Sequence, residues 1–286
     1  MSSTSIETKR APILDPASVK AYRSDGVLKL PRLINDEEIK LLQDVCTAVF
    51  AAKDKSVTVA GQSDGKGADV YAYQSHPNYK KMWSNEFDLR LRHPELNPLI
   101  ARFARVVSEL LGDDDPRLLW DKTFTKPPVT VGTRQTVWHQ DLPQVPVDRR
   151  GLLTIWVAVW DVPEEAGAMR FVPRSKMLGP LGRVDFIGKE HEVDSLMTPE
   201  DKEIVGEPIT IPLRAGEATV HDGLTLHGAG PNNSSKPRVG WTMLFVPSKT
   251  VWTGNPWPQT DMNELGMKPY QTIDHPRFRV KQADHA

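Results

Sequence analysis

In the run Trp138-His139-Gln140-Asp141 a histidine and an aspartate stand two positions apart. That is the spacing at which a β-strand turns side chains to one face, so an imidazole nitrogen and a carboxylate oxygen could meet at one point and hold a metal ion. A third ligand is needed, and His227, in Leu226-His227-Gly228-Ala229-Gly230-Pro231-Asn232 at the end of a later strand-like run, is the best candidate. Two histidines and one carboxylate on one face of an octahedron, with the other positions open, make the donor set of non-haem Fe(II) oxygenases. His221 is the rival for the third position; following Thr219 and Val220 in a strand-like run, it reads as a structural histidine. An H-x-D triplet alone is a weak signal, and the chain carries a decoy in His93-Pro94-Glu95. There the proline and the following Leu96-Asn97-Pro98 read as the lead-in to a helix, with Asn97 as N-cap and Pro98 at the first helical position, so the triplet is set aside.

The elements that must position these residues are short strands. From Arg117 onward, strand-like runs cover 118–125, 136–141, 152–162, 169–172, 209–213, 217–221 and 239–246, separated by turns. Such a series without intervening helices argues for an antiparallel sandwich or barrel, with a jelly roll as its natural closure. The ends of opposing strands could then bring His139 and Asp141 against His227, in an interior that keeps water from a reactive iron. Upstream the chain is helical. Asp15-Pro16, Val19, Tyr22 and Gly26 read as a capped short helix with a glycine stop, and 27–30 as a strand. Asn35 and Glu38 form a capping box for a helix whose apolar positions, Ile39, Leu42, Val45, Cys46, Val49 and Phe50, follow the 3.6 period. A second amphipathic helix covers 97–112 and stops at Gly112. The expected fold is mainly β with flanking α-helices around a jelly-roll core. At 286 residues it is expected to be one domain over 13–250, with a disordered or extended tail at 1–12 and a C-terminal extension at 251–286 packed on the core or on a partner subunit.

Lys plus Arg number 36 against 37 Asp plus Glu, a net charge of -1 without long runs of one sign. That balance gives no electrostatic footprint for nucleic acid or for an anionic membrane, and neither partner is expected. Cys46 is the only cysteine, so no internal disulfide or thiolate metal cluster can form, which suits a reducing compartment. The N-terminal stretch lacks the apolar run of a signal peptide, and no stretch of about 18 apolar residues offers a membrane span. The expectation is a soluble, cytoplasmic protein. Segment 56–75, with Gly61, Gly65 and Gly67, reads as a surface loop or, functionally, as a lid.

Taken together, Lys126-Pro127-Pro128, Trp138-His139-Gln140-Asp141, Trp156-Val157-Ala158-Val159-Trp160-Asp161, Gly167-Ala168-Met169-Arg170-Phe171-Val172-Pro173, and His227-Gly228-Ala229-Gly230-Pro231-Asn232 with Arg238 resemble the phytanoyl-CoA dioxygenase family. Asp25-Gly26 and 33–42 resemble its usual opening, so the similarity spans most of 15–247. The resemblance implies an oxygenase on a double-stranded β-helix, the cupin-like jelly roll, that uses Fe(II), 2-oxoglutarate and O2. It makes His139, Asp141 and His227 the iron ligands. It makes Arg238, eleven positions after His227, the arginine that grips the distal carboxylate of 2-oxoglutarate; the distance from His221 does not fit. A guanidinium forks onto a carboxylate with two parallel charge-assisted hydrogen bonds, which lysine cannot do. Lys126 and Trp156 stand where the family lines the cosubstrate pocket. Three departures matter. Ala229 replaces a small hydroxylated residue, so one cosubstrate hydrogen bond is missing or comes from elsewhere, with Thr154 and Gln74 as candidates. Pro173-Arg174-Ser175-Lys176 replaces a Pro-Gly-Ser-His turn and puts a charge near the outer rim of the site. Asp141 is present where related halogenases carry a small residue that lets chloride bind iron, which argues for oxygen insertion. Outside the resemblance, Trp156 and Trp160 would be ordinary core aromatics and Arg238 a surface ion-pair partner.

Two function classes follow. One is an oxygenase acting on an unactivated carbon of a small molecule; the other is a cupin-type isomerase or binding module without 2-oxoglutarate, which has no need of Arg238. Tyr71 and Tyr73, the 176–206 insertion, and Trp252 and Trp257 are candidate mouth elements, and such aromatics suit a rigid, largely apolar substrate. An acyl-CoA 2-hydroxylase of the same family would need clustered basic residues for the coenzyme phosphates, and here they are spread along the chain. A free natural-product scaffold is therefore the expected substrate. The tryptophan-rich stretch 252–258 could equally form a homodimer contact.

Overall fold

The computed structural model describes residues 11–53, 84–148, 150–182, 192–256 and 260–280. Six strands, β1 (Val27–Leu30), β8 (Ala218–Asp222), β5 (Leu153–Ala158), β10 (Arg238–Val246), β3 (Arg117–Lys126) and β2 (Ser84–Phe87), form one sheet in that order. Four more, β4 (Thr136–His139), β9 (His227–Ala229), β6 (Met169–Phe171) and β7 (Ile209–Ile211), form the second. Every pairing is antiparallel and few sequence neighbours are sheet neighbours, as a jelly roll requires.

Alternation sorts the large sheet into two faces. On β5 and β10, Ile155, Val157, Val239, Trp241, Met243 and Phe245 point outward into a core shared with the helices. Thr154, Trp156, Arg238, Gly240, Thr242 and Leu244 are left facing the second sheet. The helices covering the outer face are capped as their sequences dictate. In α1 (Pro16–Asp25) the Asp15 carboxylate accepts from the Ser18 backbone N–H, and Gly26 closes the helix at φ 77°. At α2 (Asp36–Lys53) Asn35 and Glu38 exchange side chain-to-backbone hydrogen bonds of 2.8 and 2.9 Å. After the short α3 (Leu89–Arg92), α4 (Asn97–Leu111) ends on Gly112 at φ 65°. It starts one residue early: Leu96 holds the capping position and Asn97 is already helical, because the tight turn Pro94–Leu96 runs straight into it. Cys46 lies in this helix-to-sheet core.

The 152–162 run is not one strand. β5 stops at Ala158, and Val162 bridges to Leu213 after the chain has turned toward the second sheet. β2 was not anticipated as a strand, and His227, expected at the end of a strand-like run, opens the three-residue β9 instead. In the C-terminal segment, Trp252, Met262, Met267, Ile273 and Phe278 pack against Leu119, Trp120, Leu244 and Val246. Among the described residues no helix is long and apolar enough to cross a membrane.

Candidate active site

His139 is the last residue of β4, His227 the first of β9, and the register pairs them directly. Their rings lie 4.2 Å apart between centroids. Gly228 permits this approach, since a Cβ there would stand 2.8 Å from the carbonyl oxygen of Thr136. Asp141 corrects the strand-alternation expectation. β4 has ended at His139, and Asp141 has helical backbone angles (φ −75°, ψ −42°) at the start of the turn Leu142–Gln144. It is this turn that carries the carboxylate round, placing Oδ1 3.7 Å from Nε2 of both histidines. One ligand atom from each of the three residues lies within 4.8 Å of the others.

The three side chains are prepared as ligands. Nδ1 of His139 lies 2.8 Å from the Val137 carbonyl and Nδ1 of His227 2.9 Å from that of Thr225. A carbonyl only accepts, so Nδ1 carries the proton and each Nε2 presents a lone pair to the centre. Burial lowers the pKa of both imidazoles, that of His227 well below the usual value, keeping them in the neutral, ligating form. The second carboxylate oxygen is already engaged: Thr154 Oγ1 donates to Asp141 Oδ2 at 2.6 Å, and His221 Nε2 lies 3.2 Å from it. His221 therefore buttresses the aspartate from outside the three-ligand group. Thr154 is likewise not a free donor for a cosubstrate, because its one hydroxyl proton goes to Asp141. The decoy pair lies elsewhere, with His93 Nδ1 3.2 Å from exposed Glu95 Oε1.

Arg238 opens β10 opposite Lys126, the last residue of β3. Its guanidinium lies 5.2 Å from the Trp156 ring centroid and donates to the Gly167 carbonyl, while Nε is buried without a partner. Only 4% of the residue is exposed, and among the described residues no carboxylate pairs with it. Burial brings its pKa down to about 10, so it stays charged at neutral pH. A buried cation without a counter-ion is costly, and an anion beside it would offset that cost. Gly240 makes room beside it, because a Cβ there would fall 2.1 Å from the Trp156 indole. Lys126 is fully buried and donates to the Arg134 carbonyl at 2.8 Å.

At Ala229, where the resemblance expects a hydroxyl, the register partner is Thr136, whose buried Oγ1 has no partner. Gln74, Tyr71, Tyr73, Trp257 and segment 56–75 lie outside the described residues. In the turn that replaces Pro-Gly-Ser-His, Lys176 turns its charge toward α1 and Asp222: its Nζ lies 5.4 Å from the Tyr22 ring, 3.3 Å from the Tyr22 carbonyl and 3.9 Å from Asp222. Two residues with roles here were not singled out from sequence. Buried Gln140 donates to the carbonyls of Gly179 and Leu224 and accepts from Leu181 N–H, tying 179–181 to the ligand turn. Lys122 reaches inward from β3 among aromatic rings. The alternation Trp120-x-Lys122-x-Phe124, a cation between aromatics on one strand face, was the available signal.

A jelly roll holding two neutral imidazoles and a carboxylate at one inner point defines the class of non-haem Fe(II) oxygenases. The profile of the phytanoyl-CoA dioxygenase (PhyH) family matches residues 22–240, and the chain belongs to that family. It is an Fe(II)- and 2-oxoglutarate-dependent dioxygenase. A probable alpha-ketoglutarate-dependent hypophosphite dioxygenase of Stutzerimonas stutzeri is 25% identical over 232 residues, covering 76% of this chain and 73% of that protein. In fold the chain is similar to the alpha-ketoglutarate-dependent carbocyclase SnoK from nogalamycin biosynthesis, with TM-score 0.70, 21% identity, and 93% and 96% of the two chains covered. It is also similar to EctD from S. alaskensis, solved with 2-oxoglutarate and 5-hydroxyectoine, with TM-score 0.68, 17% identity, and 97% and 90% covered.

Proposed function

We propose that the protein oxidises an unactivated carbon of a small, largely apolar natural-product scaffold, with Fe(II) held by His139, Asp141 and His227 and 2-oxoglutarate anchored by Arg238. The observation that carries this reading is the buried Arg238 guanidinium, charged and without a carboxylate partner, inside the same jelly roll as the three ligand atoms. Bound Fe(II) would supply coordination positions beyond its protein ligands for a 2-oxo acid and for activation of O2. The chain's own residues do the rest. Thr154 and His221 fix Asp141 so that Oδ1 faces the histidines, and the Val137 and Thr225 carbonyls fix both imidazole tautomers. Arg238 orients the cosubstrate from its far end, Trp156 walls its path, and the apolar second sheet excludes water. A cupin-type module without 2-oxoglutarate would leave that guanidinium unexplained.

For the substrate, support comes from Phe87, Trp120 and Phe124 at the inner wall and from a structural neighbour named for nogalamycin biosynthesis. The test has two stages. Anaerobic Fe(II) protein should develop a visible charge-transfer band on adding 2-oxoglutarate; an iron-loaded protein without it would defeat the cosubstrate assignment. Succinate release is then followed with panels of free polycyclic scaffolds and of acyl-CoA esters. Coupled turnover confined to the esters would overturn the substrate class.

A further inference from the structure

The register orders the inward face of the large sheet into rows. One row runs Thr219, Trp156, Thr242, Lys122, Phe87 across β8, β5, β10, β3 and β2. The next runs His221, Thr154, Leu244, Trp120, and through its first two members it holds Asp141. Arg238 and Lys126 lie beyond the first row on the other side. A molecule stretched from the ligand cluster to Arg238 therefore passes over Trp156 and the bare Gly240, on β5 and β10. Lys122 stands beside that line and not on it, one strand from β10 toward the β2 edge, and two strands and one row from Thr154, roughly 12 Å away at about 4.8 Å per strand and about 3.4 Å per residue.

Its surroundings are unusual for a cation. Nζ lies 4.3 Å from the Phe124 ring centroid, 5.0 Å from that of Phe87 and 5.2 Å from that of Trp120. Ring faces attract an ammonium, yet they accept none of its three N–H bonds in the way a carboxylate would. Among the described residues no carboxylate lies within ion-pair distance. Alternation along β3 turns Lys122 to the inward face of the sheet, the face that also carries Thr154 and His221. Burial lowers the pKa of Lys122 to about 8, which leaves it mostly charged at neutral pH.

We infer that Lys122 is a specificity-determining residue that receives a carboxylate of the substrate while Phe87, Trp120 and Phe124 wall the adjoining apolar body. This rests on the oxygenase reading and narrows its substrate class to an aryl or polycyclic acid. The cosubstrate is the other possible source of a carboxylate, and the position of Lys122 off the line to Arg238 assigns the contact to the substrate.

The experiment uses full-length protein loaded anaerobically with Fe(II) and saturating 2-oxoglutarate, so that Arg238 is occupied. Calorimetric titration compares 1-naphthoate with its neutral isostere 1-naphthamide. Wild type should bind naphthoate on the order of tenfold more tightly or better, as a charge-assisted hydrogen bond would give. Lys122→Met, which fits an aromatic box without strain, should erase the preference, and Lys122→Arg should keep most of it. Equal affinities in wild type, no naphthoate binding at millimolar concentration, or an undiminished preference in Lys122→Met each overturn the inference. Thermal midpoints matching wild type show that the variants are folded. The same variants are titrated with 2-oxoglutarate through the charge-transfer band. An unchanged requirement places the acid on the substrate; weakened 2-oxoglutarate binding with the naphthoate preference intact reassigns Lys122 to the cosubstrate and overturns it. A wild type lacking the band would count against the oxygenase reading alone, since the naphthoate-to-naphthamide ratio still decides the role of Lys122.

Discussion

Replacing Arg238 by methionine keeps the stem volume and removes the guanidinium, and its consequences should have opposite signs with and without 2-oxoglutarate. With cosubstrate, the loss is a charge-assisted, forked contact in a desolvated pocket, about 2–5 kcal/mol, or roughly 30-fold to a few thousandfold in affinity. Without it, the wild type carries a cation that is 4% exposed, with Nε unpartnered and no counter-ion among the described residues. Exchanging such a charge for an apolar side chain is neutral or stabilising by about 1–4 kcal/mol. Anaerobic thermal melts of the Fe(II) protein read both effects. 2-Oxoglutarate at a hundred times Kd should stabilise wild type by about 2.7 kcal/mol, a rise of roughly 5–10 °C. At the same concentration Arg238→Met should gain at most about 0.9 kcal/mol, a third of the wild-type rise or less, while its midpoint without 2-oxoglutarate equals or exceeds that of wild type. Titration of the charge-transfer band should give the matching change in affinity with iron binding spared. An unchanged 2-oxoglutarate requirement would refute the anchor. A variant several degrees less stable without cosubstrate would show instead that Arg238 is a structural clamp on the Gly167 carbonyl.

His227→Ala should abolish iron binding and turnover, whereas His221→Ala should retain iron with weakened affinity because Asp141 loses only one of its two holders; metal analysis after desalting separates them, and the reverse pattern would exchange their roles. Gly240→Ala should push the Trp156 indole aside and weaken 2-oxoglutarate binding at least tenfold while sparing iron, since the added Cβ falls 2.1 Å from the ring; unaltered titration of the charge-transfer band would count against Trp156 as a pocket wall. Asp121 is fully buried beside Trp241 Nε1 and Arg90, and burial pushes its carboxyl up from 3.8 to about 6. The native state then keeps a proton that the unfolded chain has lost, so stability falls as pH rises from about 4 through 6, by as much as about 3 kcal/mol. Asp121→Asn should flatten that part of the profile, read from urea midpoints at about pH 4.5 and 7; an unchanged slope would assign it to other groups.

Residue type and spacing proposed His139, Asp141 and His227, because a donor set is a matter of chemistry, and the family resemblance of the surrounding runs favoured them over the decoy and over His221. The caps at Asp15, Asn35 and Glu38, and the stops at Gly26 and Gly112, were also legible, since each is settled within a few residues along the chain. The arrangement of the ligands was not. Asp141 meets the histidines through a turn rather than a strand, a boundary set by where β4 stops pairing with β9. Buttressing of Asp141 by Thr154 and His221 joins residues 13 and 80 positions away. The inward row that carries Lys122 depends on β3 pairing with β10, more than a hundred residues later in the chain. A one-residue slip in any of those registers would turn a strand's side chains to the opposite face. The sequence by itself thus determined which chemical groups the protein has that could hold a metal ion or pair with a carboxylate. Only the tertiary structure decided which of them face one another, because strand register depends on pairing and burial across the whole core, and residues far apart in the chain carry no local trace of it.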